Sequence, residues 1–356
     1  MTSKAARPAH IVFITSPLEA EHVATMQRTA RDRAEIIHEA DLLPPTRYIA
    51  DHKGRDGFRL SPEQSLRWRA HLGRATILWD FPSGPPAAGG GLAWAPKVKW
   101  VQTTSSGVGQ MVQRLGLAES DLIVTTARGV HAEPLAEFVF LALLAHAKDL
   151  PMLQRDQRRH RWERYCGGEL RDKRLAIIGA GKVGAEVGRI GRAFGMQVAA
   201  LVNNPRPGRE TELHAHEMHG PSQLHRVLGQ ADYVVLTLPH TPSSERMIDA
   251  EAIARMKPGA VLVNIARGQV IDEDALIRAL RSGQIAYAAL DVAATEPLPA
   301  DSPLWDMPNV LISPHSASTA PSENRKITEI FCHNLGCYLE GRVKDMLNVL
   351  DKKRLY

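Results

Sequence analysis

A chain of 356 residues, 44% hydrophobic and 23% charged, has an ordinary globular composition and room for two domains. Its formal charge of +5 would suit nucleic acid, but equally an anionic cofactor and substrate, and no nucleic-acid motif accompanies it. No apolar run approaches the roughly 18–20 residues of a membrane span, and the first one, Ile11 to Ile14, is too short for a signal-peptide core, which points to a cytoplasmic protein.

The first third reads as strand-like runs mixed with loops. "HIVFITS" (His10 to Ser16), "ATILWDF" (Ala75 to Phe81), "VKWVQTT" (Val98 to Thr104) and "DLIVTTA" (Asp121 to Ala127) are short, apolar and bounded by turn signals. "PSGPPAAGGG", Pro82 to Gly91, reads as a flexible loop. "PLAEFVFLALLAHAKDL", Pro134 to Leu150, reads as one long apolar helix with a first-turn proline. The basic run Gln154 to Arg164 reads as a solvated helix face.

From Leu170 the rhythm becomes regular. "RLAIIGAG" is strand then turn, "KVGAEVGRIGRAFG" a helix ending in Gly195, and "MQVAALVN" a strand. "ADYVVLTLP" (strand), "DAEAIARM" (helix), "AVLVNIA" (strand) and "DEDALIRALRSG" (helix) follow, then the strands "IAYAALDV" and "NVLISPH". Alternation of this kind predicts a parallel, doubly wound sheet with its ligands at the carboxyl ends of the strands.

Four features of that segment carry chemistry. "GAGKVG", Gly179 to Gly184, is a G-x-G-x-x-G between a strand and a helix. There Gly179 permits the turn, Gly181 lets the backbone approach a diphosphate, and Gly184 lets helix pack on strand. Arg267, Glu296 and His315 each fall just past a strand's carboxyl end. Singly, each has a bland reading: a surface salt bridge, a solvated loop acid, a packed strand-end histidine. As an ordered set on one rim they put a cationic fork, a carboxylate and an imidazole where a nicotinamide would lie.

The strand after the glycine turn lacks the acid that would hold the ribose hydroxyls of NAD. It ends on Val202, followed by Asn203, Asn204 and Arg206, which favours NADP over NAD as the cofactor. "LHAHEMHG", ending at Gly220, offers three histidines and a glutamate, but not at metal-site spacing, and reads as a polar loop with no metal. Cys166, Cys332 and Cys337 show no paired spacing and read as reduced cysteines without a role.

"GAGKVG", "NIARGQVIDEDAL", "ALDVAATEPLP" and "NVLISPHSAS", with "VQTTSSGVG" and "RGVHAEPLAE" earlier, resemble the D-isomer-specific 2-hydroxyacid dehydrogenases over nearly the full length. The resemblance implies a dinucleotide-binding Rossmann domain, residues 128–318, inserted into a flavodoxin-like substrate domain made of residues 1–127 and 319–356, with the crossing segments as hinges. It implies Arg267, Glu296 and His315 as the catalytic residues, acting on a small 2-keto acid. It implies backbone amides of Ser106, Gly107 and Val108 at the substrate carboxylate, although Gly109 stands where the family often has Asp. For the cofactor it implies Gly179, Gly181, Lys182, Val183, Gly184, Asn203, Asn204, Arg206, Thr241, Ala266, Asp291 and Ser316. A homodimer packed through about Gly107 to Trp162 is also implied. The activity expected is that of a glyoxylate/hydroxypyruvate reductase. The alternatives are a phosphoglycerate dehydrogenase-like enzyme and a dinucleotide-sensing binding protein; the glutamine that formate dehydrogenases carry at the Glu296 position is absent.

Overall fold

The computed structural model describes residues 9–83 and 91–354. Most of the loop read at Pro82 to Gly91 therefore lies outside the described residues. The chain divides into two compact units, Met1–Val130 with Thr319–Tyr356, and His131–Ser318. Residues 128–130 thus fall in the first unit.

The first unit is built on five parallel strands, β1 (His10–Ile14), β2 (Ala34–Ile37), β3 (Ile77–Trp79), β4 (Trp100–Gln102) and β5 (Ile123–Thr125), in the order β2-β1-β3-β4-β5. That is the flavodoxin-like winding. Helices α1 (Ala20–Ala30), α2 (Pro62–Arg74) and α3 (Gly109–Arg114) connect the strands. The sequence reading missed α1, α2 and β2. In β2 ("AEII") only the first and last residues are buried, so no apolar run announces it. For α2 a signal was present: Ser61 and Gln64 form a capping box with Pro62 at the first turn. The C-terminal helix of this unit, residues Glu323–Leu339, seats Phe331 between Trp79 and Trp100, its ring stacked on Trp100 at 5.1 Å.

The second unit opens with α4 (Ala132–Ala147) and α5 (Leu150–Arg158). The helix expected from Pro134 to Leu150 is α4 as far as Ala147, and Leu150 instead begins α5. The break is at Asp149, which adopts φ +47° and caps α5 by accepting from the Met152 N–H. The basic run is only partly helical: α5 ends at Arg158, and residues 159–164 are exposed and irregular. Seven parallel strands follow: β6 (Arg174–Ile178), β7 (Gln197–Leu201), β8 (Glu217–His219), β9 (Tyr233–Leu236), β10 (Ala260–Asn264), β11 (Ile285–Leu290) and β12 (Val310–Ile312). Between them lie α6 (Lys182–Ala193), α7 (Arg209–Glu212), α8 (Leu224–Gln230), α9 (Ala250–Arg255) and α10 (Glu273–Ser282).

The sheet order β12-β11-β10-β9-β6-β7-β8 reverses direction between β6 and β9, the point at which doubly wound sheets bind ligands. The histidine-rich segment read as a loop contributes the edge strand β8; His216 Nδ1 accepts the Val198 N–H, and His219 bonds Gln223 and Glu217. No group of three or more potential ligands could hold a metal among the described residues. Among them, too, no helix is long and apolar enough to cross a membrane.

Candidate active site

The glycine-rich turn follows β6, and each of its glycines has a distinct physical reason. Gly179 sits at φ +88°, where a Cβ would fall 2.3 Å from that of Leu238. Gly184 packs helix on strand, with Ile177, Ala180 and Thr237 atoms 3.0–3.1 Å from a hypothetical Cβ. At Gly181 nothing lies within 4 Å, so the backbone is open there. Gly181 is also the N-cap of α6 and supplies no side-chain cap, which leaves the first-turn amides to an outside acceptor. This cradle fits a dinucleotide diphosphate. Lys182 is exposed and Val183 half-buried on the first turn of α6.

After β7, Val202 is buried and donates its N–H to the His219 carbonyl, so nothing acidic stands at this strand end. Asn203 and Asn204 are exposed. Arg206 is engaged with Glu212 through two contacts of 2.8 and 2.9 Å. Arg209 is the arginine that reaches the glycine turn: its guanidinium donates to the Asn204 carbonyl at 2.7 Å and the Ala180 carbonyl at 3.4 Å. Past β9, Thr241 bonds Ser243 and Ser244 and shapes its own loop.

Past β10, buried Asn264 fixes the strand end: Oδ1 accepts the Ala266 N–H and Nδ2 donates to the Arg267 carbonyl, each at 3.0 Å. Arg267 then projects from an extended backbone, donating to the Ala266 carbonyl at 2.6 Å. It makes no ion pair among the described residues. Burial pulls its proton affinity down while Glu296 and Asp291 pull it up, and a guanidinium stays charged throughout.

The residues after Arg267 explain its motif. A Cβ on Gly268 would lie 1.9 Å from the Ala293 carbonyl carbon, so only glycine admits the loop that carries Glu296. Gln269 donates to the Ala294 carbonyl, and Glu273, in the first turn of α10, accepts the Ala294 N–H. The strand tip bearing Arg267 and the loop bearing Glu296 are thereby stitched together. Sequence reasoning passed over Asn264, Gly268, Gln269 and Glu273, although all four lie inside the motif it quoted.

Glu296 Oε2 meets His315 Nδ1 at 2.8 Å, and its Oε1 accepts the Ala293 N–H at 3.2 Å. Partial burial pushes the Glu296 carboxyl up, but its contacts with His315, the Ala293 N–H and the Arg267 charge outweigh it and hold the group below the ordinary range. His315 takes φ +54° and donates its N–H to the Asp291 carbonyl. Its Nε2 makes no hydrogen bond among the described residues. Buried Asp291 is the hub of this turn: Oδ1 accepts from the Ser313 hydroxyl and from the N–H groups of Ser316 and Ala317. Ala266 is buried directly before Arg267.

In the first unit, Ser106 and Gly107 are exposed and Val108 is buried. The Gly107 N–H is spent on Ser105 Oγ at 3.3 Å, while those of Ser106 and Val108 find no acceptor among the described residues.

Residues 140–317 match the family model described as D-isomer specific 2-hydroxyacid dehydrogenase, NAD binding domain. The chain is 33% identical over 259 residues to a glyoxylate/hydroxypyruvate reductase B of Pectobacterium carotovorum, covering 71% of this chain and 80% of that protein. The chain belongs to the D-isomer specific 2-hydroxyacid dehydrogenase family. A second member, the D-3-phosphoglycerate dehydrogenase of Mycobacterium tuberculosis, is 36% identical over 270 residues, 72% of this chain; the match spans about half of that relative, 48%. A D-isomer specific 2-hydroxyacid dehydrogenase from Xanthobacter autotrophicus, solved with NADPH and MES, superimposes with a TM-score of 0.75 at 29% identity, covering 98% of this chain and 99% of that one.

Proposed function

We propose that this family member is a nicotinamide-dependent D-2-hydroxyacid dehydrogenase working as a small 2-keto acid reductase, of the glyoxylate/hydroxypyruvate class. The observation that carries the reading is the pairing of an ion-pair-free, half-buried Arg267 with a Glu296–His315 dyad whose Nε2 is unspent. A partly desolvated cation without an ion pair is ready for an anion, and a 2-keto carboxylate is such an anion. Arg267 holds that carboxylate by two parallel N–H contacts and polarises the neighbouring keto oxygen. His315 Nε2 delivers a proton to that oxygen as negative charge develops on it. Glu296 stabilises the imidazolium at Nδ1 and fixes its ring.

The cofactor is assigned to Gly179–Gly184 and the amino end of α6, with Asn203, Asn204, Thr241, Ala266, Asp291 and Ser316 along its length. When bound it supplies the hydride. The absent acid at Val202 supports NADP over NAD, and Arg209 supports it further. Arg209→Ala is expected to raise the KM for NADPH about ten- to a hundredfold and leave that for NADH nearly unchanged. Arg206→Ala should do less, because Arg206 already has Glu212. Steady-state kinetics with both cofactors checks this, and equal losses for NADH and NADPH would remove the assignment.

We also assign a homodimer. Leu141, Leu150, Leu153, Trp162 and Tyr165 are all exposed, Trp162 by 98%, which concentrates large apolar side chains on one stretch of the second unit. Light scattering should return twice the chain mass at working concentration; one chain mass would contradict it.

The test of the activity is a screen of glyoxylate, hydroxypyruvate, its 3-phosphate and pyruvate against NADPH and NADH. Turnover restricted to the 3-phosphate would favour the phosphoglycerate dehydrogenase alternative, and cofactor binding without turnover would favour a sensor.

A further inference from the structure

The glycine turn after β6 is seated by a residue that its own motif does not contain. Thr237 directly follows β9, the strand that pairs with β6 where the sheet order reverses. Its backbone N–H donates to the Ile178 carbonyl at 2.9 Å. Its hydroxyl lies 3.1 Å from the Gly179 carbonyl and 3.5 Å from that of Ile178, so Gly179 is the nearer acceptor. The same oxygen packs at the other end of the motif, 3.1 Å from where a Cβ on Gly184 would stand. Leu238, the next residue, fills the space that a side chain on Gly179 would need.

Every polar backbone group of Gly179 and Ala180 is spent. Both N–H groups donate to the Leu201 carbonyl, at 2.9 and 3.4 Å, the Gly179 carbonyl takes the Thr237 hydroxyl, and the Ala180 carbonyl takes Arg209 at 3.4 Å. From Gly181 to Gly184 the opposite holds: none of the four N–H groups finds an acceptor among the described residues. A saturated step therefore delivers a run of free donors. Gly179, at φ +88°, has a glycine's freedom to reorient, so the direction of the peptides after it depends on what holds its carbonyl. On the β7 side that hold is the Leu201 carbonyl, and on the β9 side it is the Thr237 hydroxyl.

We propose that Thr237 is a positioning residue for the dinucleotide diphosphate: its hydroxyl fixes the Gly179 carbonyl and thereby aims the free amides at the start of α6. This rests on the assignment of the cofactor to the glycine turn and not on the identity of the substrate. The role is common to NADPH and NADH, because both carry the diphosphate.

The test has two arms, and turnover enters neither, so a failure of the reductase activity leaves both decisive. The variants are Thr237→Val, which loses the hydroxyl but keeps the branched shape, and the pair Thr237→Ser and Thr237→Ala, which differ from each other only in the hydroxyl. The pair carries the test should the valine variant not fold. In the cofactor-free protein, native-state exchange of the Gly179 and Ala180 amides should be about three- to tenfold faster in the valine and alanine variants and return toward the wild-type rate in the serine variant. In fluorescence titrations the Kd values for NADPH and NADH should rise together by about three- to tenfold in the same two variants and recover in serine. A shared loss of this kind contrasts with Arg209→Ala, where NADPH alone should suffer. Unchanged exchange without the hydroxyl, or a lowered melting temperature with both Kd values unchanged, overturns the positioning role. A loss confined to one cofactor overturns the diphosphate as its target. A wild type that binds neither cofactor overturns the cofactor assignment and this role with it.

Discussion

Arg267→Ala is expected to lower kcat/KM for 2-keto acid reduction a hundredfold or more while leaving the fold intact. Losing charge-assisted contacts to the carboxylate and the developing oxyanion removes several kcal/mol of transition-state stabilisation, and each ~1.4 kcal/mol is tenfold in rate. The fold should survive because the guanidinium's bond within the chain is only to the adjoining Ala266 carbonyl, and other groups hold the local backbone. Asn264 holds Ala266 and the Arg267 carbonyl, and Gly268 admits Ala293. Removing a half-buried cation that has no ion pair among the described residues should cost the free protein little. Arg267→Lys separates charge from geometry: an ammonium keeps the charge but not the fork, so recovery should be partial. Thermal unfolding alongside initial rates checks the claim. A variant of near wild-type activity would remove Arg267 from the chemistry.

His315→Gln is expected to lower turnover about a hundred- to ten-thousandfold, the range in which a positioned general acid contributes, and to leave cofactor affinity nearly unchanged. The separation follows from the geometry. His315 meets Glu296 through Nδ1 and its Nε2 makes no hydrogen bond among the described residues, while the glycine turn Gly179–Gly184 follows a different strand. One complication is the left-handed φ of +54°, which Gln adopts less readily than Asn. His315→Asn is therefore the companion variant: it suits the backbone and cannot transfer the proton. Fluorescence titration with NADPH beside single-turnover rates decides it. Comparable losses in binding and turnover in both variants would mark a structural histidine.

The second unit was legible in the sequence because its strands are buried on both faces and read as unbroken apolar runs, as in "LAII" and "AVLVN". The first unit was less so. Strand β2 carries Glu35 at an edge and is four residues long, and α1 has only Val23, Met26 and Ala30 buried, too few for a clear stripe. Strand β8 hides in a histidine-rich segment because an edge strand need not be apolar. At the site, residue types that chemistry demands were readable: Arg267, Glu296, His315 and the glycine turn. The supports were not. Nothing local says that Gly268 exists for Ala293 or that Gln269 and Glu273 hold Ala294, since each depends on a partner from another segment; Asn264 bonds only Ala266 and Arg267, a local clamp that asparagine's turn-forming chemistry could have suggested. Arg206 and Arg209 both follow this strand end, and only partners distant from the motif show that Arg206 meets Glu212 while Arg209 bonds the Asn204 and Ala180 carbonyls.

The measurement that bears most directly on the central claim is the initial rate of NADPH oxidation by the wild-type chain with hydroxypyruvate, with the configuration of the product determined. The account predicts saturable turnover giving D-glycerate. Formation of the L isomer, or no consumption of NADPH or NADH with any 2-keto acid in the screen, would contradict it.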